Sequence, residues 1–228
     1  MLRKWIFLVL SLVCVSAVYA AEAPQPTPAP QTNEIIEGVH YIKLPNTVPQ
    51  QAVVQTYLAQ DKGKIQVAEF FSYKCPGCYA LEGDFNAWAA KQPKDVAIRR
   101  VPVSFGPNWE PLAKAYFVIE QMGKVHELNP VIFNAVHKDR KPLETQSEIA
   151  LLLSQHGVKL DEFNAAYEGF NVNRLWTQAQ LLRQSEEVGS VPAVVVNGEY
   201  LTHIGLTQDP KKLMQVLDYL IEKVRKGE

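Results

Sequence analysis

The chain has 228 residues, 47% of them hydrophobic, which is enough to bury a full core and excludes a disordered tail. Its 23 Lys and Arg against 24 Asp and Glu give a formal charge of −1, with no basic block to follow phosphates, which argues against a nucleic-acid partner. Three cysteines are too few for a disulfide-stapled miniprotein.

The first predicted element is MLRKWIFLVLSLVCVSAVYA, residues 1–20. Arg3 and Lys4 precede an apolar run, and Val18 and Ala20 have the spacing a signal peptidase reads, so the segment is expected to be a cleaved secretory signal. A retained membrane anchor is the alternative, but Trp5 to Tyr19 falls short of the roughly 20 apolar residues a spanning helix needs. Val13 stands where lipid attachment at Cys14 would want a small residue, so Cys14 is expected to leave with the signal. Cleavage would remove two basic and no acidic side chains, taking the formal charge from −1 to −3 and leaving one cysteine pair. AEAPQPTPAPQTN, residues 21–33, is Pro-rich without apolar periodicity and reads as an extended spacer.

From residue 34 the sequence becomes globular. EIIEGVHYIKL (34–44) predicts a first strand, and QQAVVQTYLAQ (50–60) a short helix or loop. IQVAEFFSY (65–73) predicts a buried strand, followed by a helix with Leu81, Phe85, Trp88 and Ala89 at helical spacing and Pro93 beyond its end. VAIRRVPVSF (96–105) is a third strand, and the strand–helix–strand order implies a parallel pair. Residues 110–189 then carry helical patterns almost throughout: EPLAKAYFVIEQM, NPVIFNAVHK, ETQSEIALLLSQHG, LDEFNAAYEG and RLWTQAQLLRQSEEVG. Gly157 and Gly189 are expected as C-caps and Asp161 as an N-cap. In PAVVVNGEYLTHI, Asn197 and Gly198 supply the two positive-φ positions of a hairpin. The last helix has Asp209 as cap, Pro210 in its first turn, and Leu213, Val216, Leu217, Leu220, Ile221 and Val224 on one face. This is an α/β pattern in which 34–109 and 190–228 flank a helical insertion at 110–189.

Cys75 and Cys78 lie in FSYKCPGCYALE, where the strand ends and the helix begins. At a helix N-terminus the N–H groups lack partners and the dipole end is positive, so a thiolate at Cys75 is favoured, and Lys74 adds a cation next door. Residues three apart in a helical turn fall within disulfide reach, so the pair can close and open. Pro76 costs little at a first turn, Gly77 shields neither sulfur, and Cys78, one turn in, should be the less exposed. A C-x-x-C hook is also half of many zinc sites, but the second half is missing: His40, His126, His137, His156 and His203 show no ligand spacing. A purely structural bridge across so short a loop would constrain the unfolded chain little. Glu69, in the apolar run VAEFF, either moves protons to and from the buried sulfur or is a strand-end side chain reaching water.

EFFSYKCPGCY, the helical insertion and SVPAVVVNGEY together resemble the DsbA family of periplasmic thiol oxidases, which have a thioredoxin fold with an inserted helical domain. The resemblance runs from about residue 34 to the end. It implies that Cys75 is the attacking sulfur and Cys78 the resolving one, joined as a disulfide in the oxidised state. It also implies that Pro192 is a cis proline facing them, with Val191 offering unpaired backbone to an extended substrate, and that Glu69 is the acid beneath the site. The intervening pair Pro76-Gly77 departs from the Pro-His of strongly oxidising members, which implies a less acidic Cys75, with Lys74 compensating in part.

The implied activity is introduction of disulfide bonds into reduced exported proteins, with no soluble cofactor and no metal, and with reoxidation by a DsbB-like membrane oxidase. One rival is a dimeric disulfide isomerase or reductase of the same fold, for which residues 34–64 could supply a homodimer contact or be mere packing. Another is a non-catalytic peptide-binding chaperone module, against which both cysteines argue.

Overall fold

The computed structural model describes residues 34–45, 52, 56 and 61–228. The signal and spacer readings of 1–33, and nearly all of 50–60, lie outside the described residues. Alternating side-chain direction along each strand divides the hydrophobic sequence between two faces of one sheet. The strands are β1 (Ile42–Lys43), β2 (Ile65–Phe71), β3 (Val96–Pro102), β4 (Ala193–Val196) and β5 (Tyr200–His203), in the order β1-β5-β4-β2-β3. β2 runs parallel to β3 and antiparallel to β4, with Glu69 opposite both Arg100 and Val194.

On one face Val67, Val194 and Val196 pack against α1 (Pro76–Ala89) and the C-terminal helix α8 (Pro210–Lys226). The predicted stripe Leu213, Val216, Leu217, Leu220 and Ile221 is buried there, and Val224 packs at its margin. Each such side chain contributes about 1.5–3 kcal/mol when fully buried. Asp209 caps α8 by accepting from the Lys211 and Lys212 N–H groups, and Gly227 closes it with φ 73°. Trp88 Nε1 donates to Asp218 Oδ1 at 2.7 Å, joining α1 to α8.

On the other face Ala68, Phe70, Ala193 and Val195 meet helices that lie between β3 and β4 in the chain. These are α2 (Glu110–Gln121), α3 (Val125–His137), α4 (Gln146–Ser154), α5 (Leu160–Glu168) and α6 (Phe170–Ser185). A 3₁₀ turn (Pro107–Trp109) leads into α2, and the four-residue α7 (Ile204–Thr207) follows β5. Thr145 and Glu148 form a reciprocal capping box at the start of α4.

Several boundaries differ from the sequence reading. The first strand shrinks to Ile42–Lys43, because Gly38 at φ 79° turns the chain and its N–H bonds to the Tyr41 carbonyl at 2.7 Å. α3 begins before Asn129 and carries Pro130 inside it. Asp161 is not an N-cap: α5 starts at Leu160, so Asp161 lies in the first turn, where its charge complements the helix dipole. Gly157, at φ 81°, does close α4, with Val158 N–H bonded to Leu153 O and Gly157 N–H to Ser154 O. Gly189 does not close α6. Glu187 does so at φ 54°, with Val188 N–H bonded to Arg183 O and Glu187 N–H to Gln184 O. Asn197 and Gly198 take the expected positive φ, 57° and 66°.

Candidate active site

The parallel strands β2 and β3 end side by side, and the site is built where β2 turns into α1. The turn is held by Cys75 N–H to Ser72 O at 3.1 Å and by Lys74 N–H to Ser72 Oγ at 3.2 Å. Cys75 occupies the N-cap of α1, Pro76 follows in the first turn, and the Cys75 sulfur accepts from the Cys78 N–H at 3.2 Å. A cap normally supplied by an oxygen is therefore supplied by sulfur, whose anion makes the better acceptor. Both cysteines are free thiols, Cys75 7% and Cys78 1% exposed.

Hydrogen bonding from Cys78 outweighs burial and lowers the Cys75 thiol to about 7, helped by the N–H groups of Cys78 and Gly77. Burial, hydrogen bonding to Cys75, and the nearby Cys75 and Glu69 charges push Cys78 up. The pair is thus asymmetric: one sulfur ionises readily, the other keeps its proton.

Across the site the Val191-Pro192 peptide is cis, and the Cys75 thiol donates to the Val191 carbonyl oxygen at 3.3 Å. Gly77 lies against the same loop. A Cβ there would stand 3.1 Å from Pro192 Cδ, tighter than ordinary van der Waals contact.

Glu69 lies below the cysteines and is 1% exposed, so the alternative of a strand-end side chain reaching water is overturned. Arg100, its neighbour on β3, brings Nε to 3.1 Å from Oε2, pairing the charges without hydrogen-bond alignment. Burial raises the Glu69 carboxyl to about 7, Arg100 opposes the rise, and Glu82 adds to it. Arg100 continues to Glu82 at 2.8 Å and Asn86 at 2.9 Å. Glu82 accepts from Asn129 at 2.7 Å, and Asn129 accepts from the Tyr73 hydroxyl. A polar chain thereby links the buried acid, through the insertion helix α3, to the residue two before Cys75.

Lys74, expected as a cation beside the sulfur, is engaged by a carboxylate. Its ammonium pairs with Glu144 at 2.9 Å, and hydrogen bonds within the motif are what lower Cys75. Arg100, Glu82, Asn129, Tyr73 and Glu144 were missed by sequence reasoning. Arg100 alone left a trace, a charge inside the β-branched run VAIRRVPV opposite a charge inside VAEFF. Among the described residues no cluster of His, Cys, Asp and Glu could hold a metal, and no helix is long and apolar enough to cross a membrane.

The chain is similar in sequence and fold to known proteins. The thiol:disulfide interchange protein DsbA of Azotobacter vinelandii is 41% identical over 191 residues, covering 84% of this chain and 85% of its own length. The same-named protein of Pseudomonas aeruginosa is 35% identical over 197 residues, covering 86% of this chain and 89% of its own. The crystal structure of Pseudomonas aeruginosa DsbA superposes with a TM-score of 0.77 at 35% identity, over 85% of this chain and 96% of that one. That of the oxidoreductase DsbA from Xylella fastidiosa gives 0.74 at 29% identity, over 86% and 100%. Residues 66–218, from β2 into α8, match the DSBA-like thioredoxin domain, and the chain belongs to that family.

Proposed function

We propose that this protein introduces disulfide bonds into exported proteins in the periplasm by dithiol–disulfide exchange at Cys75 and Cys78. The observation that carries the reading is the asymmetry of the pair: Cys75, the sulfur that caps α1 and touches the Val191 carbonyl, is lowered to about 7, beside a more deeply buried Cys78 pushed upward. In the oxidised protein a substrate thiolate attacks the Cys75 sulfur, breaking the Cys75–Cys78 bond and forming a mixed disulfide. Cys78 leaves as a thiolate and takes a proton, for which buried Glu69, raised to about 7, is the nearby donor. A second substrate thiolate attacks the substrate sulfur of the mixed disulfide and expels Cys75 as a thiolate. The substrate has then lost two electrons and two protons, and the protein holds the dithiol form seen here.

Departure of Cys75 is eased by its low proton affinity, because the better leaving thiol is the more acidic one. Val191 and Pro192 line the substrate side, Gly77 keeps α1 close to them, and Pro76 starts the helix whose N–H groups stabilise the anion. The thioredoxin-like parts are 34–109 and 190–228 around the helical insertion 110–189. A secretory signal at 1–20 supports the compartment, and a DsbB-type membrane oxidase is the reoxidant the family implies.

A Cys78→Ala variant expressed in cells tests this. It should accumulate covalent adducts with exported cysteine-containing proteins on non-reducing gels, all lost when Cys75→Ser is added. Absence of adducts, or their survival without Cys75, would refute it. A reducing potential together with a stable dimer in solution would favour the isomerase instead.

A further inference from the structure

We propose that Arg183 is a positioning residue for peptide substrates, setting the gap between the Val191 loop and an aromatic rim at Phe105, a reading that rests on the exchange activity above. The substrate class it selects is an extended peptide with an apolar or aromatic side chain near its cysteine.

Arg183 lies in the last turn of α6 and binds Val188 at both ends of its backbone. Its carbonyl accepts from the Val188 N–H at 3.0 Å, and its Nη1 donates to the Val188 carbonyl at 3.2 Å. Val188 is buried and stands three residues before Val191. Between Arg183 and Val188 the chain passes through Glu187 at φ 54°, a conformation that a residue with a Cβ adopts only where its surroundings hold it. The two bonds to Val188 supply that restraint.

The guanidinium also lies 5.1 Å from the centre of the Phe105 ring. Phe105 meets Trp109 edge-on at 5.9 Å and is still 43% exposed. It follows β3, on the same sheet end as Cys75. The rim returns to the active site by a second route: Asn108 Nδ2 donates to Glu144 Oε1 at 3.5 Å, and Lys74 Nζ donates to the same oxygen at 2.9 Å. Contacts therefore form a closed circuit from Cys75 through Lys74, Glu144, the 107–109 turn, Phe105, Arg183 and Val188 to Val191, whose carbonyl returns to Cys75.

Within this circuit Arg183 joins the aromatic rim to the substrate-side loop. A planar guanidinium can stack on a ring while donating in its own plane, which an ammonium cannot do with equal geometry. Phe105 keeps an open aromatic surface, and aromatic and aliphatic side chains gain most from such a platform. A small dithiol has no side chain to place there.

The test uses the oxidised protein without its signal, reacted with dithiothreitol and with a two-cysteine peptide bearing Phe beside one cysteine. For Arg183→Ala the ratio of peptide to dithiothreitol kcat/KM should fall about tenfold, mainly through KM, with partial recovery in Arg183→Lys. Phe105→Ala should lower the same ratio for the Phe peptide more than for a Gly analogue. Ratios within about twofold of the parent for both alanine variants would overturn the proposal. If Arg183→Ala does not fold, Phe105→Ala with the two peptides decides. Failure of the parent protein to oxidise either dithiol would instead refute the exchange reading itself.

Discussion

Cys75 and Val191 are 116 residues apart in the chain, yet the Cys75 thiol donates to the Val191 carbonyl at 3.3 Å. Ionisation removes that donor and sets a sulfur anion against a carbonyl oxygen, so the oxygen becomes available to a substrate N–H as the sulfur becomes nucleophilic. Alkylation by iodoacetamide should show Cys75 reacting with a midpoint near pH 7, while Cys78 stays unreactive until the protein is unfolded. Cys78 reacting first would invert the assigned roles.

Lys74→Met should leave the Cys75 midpoint nearly in place. The ammonium is spent on Glu144, and solvent screens what remains of its field. A rise in the midpoint approaching that expected from losing an adjacent cation would show that Lys74 acts on the sulfur directly.

Arg100→Leu should destabilise the fold by about 3–5 kcal/mol in urea titrations, because it strands buried Glu69 and largely buried Glu82 without their shared cation. Combining it with Glu69→Leu should recover part of the loss. Equal loss in the single and double variants would mean that Arg100 matters through packing between Phe71 and Phe85, over whose rings it also lies.

Glu186 is a buried acid whose Oε2 has no hydrogen-bond partner, and burial pushes it up to about 8 from 4.5. Between those values the folded protein keeps a proton that the unfolded chain has released, so its contribution to stability is greatest below pH 4.5 and falls as pH rises towards 8. Glu69, raised to about 7, acts in the same direction. Thermal melting should therefore occur at lower temperature at pH 8.5 than at pH 5. Glu186→Gln should reduce the difference, by an amount on the order of 3 kcal/mol at the alkaline end. An unchanged slope would place the titration elsewhere.

Much of this was legible where the deciding forces are local. The cap of α8 at Asp209, the glycine closing α4 at Gly157 and the positive-φ pair Asn197-Gly198 follow from residues that choose their own backbone angles or bond to their nearest neighbours. The reading failed where a distant partner decides. Nothing beside Glu187 announces that it, and not Gly189, will turn the chain; the turn is held by bonds from Arg183 and by the burial of Val188. Asp161 has the character of a cap, being acidic and preceding an apolar run, yet the helix starts one residue earlier, at Leu160, with Lys159 at the cap position.

By itself the sequence determined that two cysteines stand one helical turn apart at the end of a buried strand. It determined equally that the first of them meets unpaired N–H groups, because cap position, proline placement and hydrophobic period are properties of adjacent residues. Tertiary structure alone decided what the sulfurs and their acid face: Val191 beside Cys75, Arg100 beside Glu69, and Glu144 taking the charge of Lys74. Those pairings depend on which strand and helix ends meet, and the proton affinities of Cys78 and Glu69 depend on how completely water is excluded when they do.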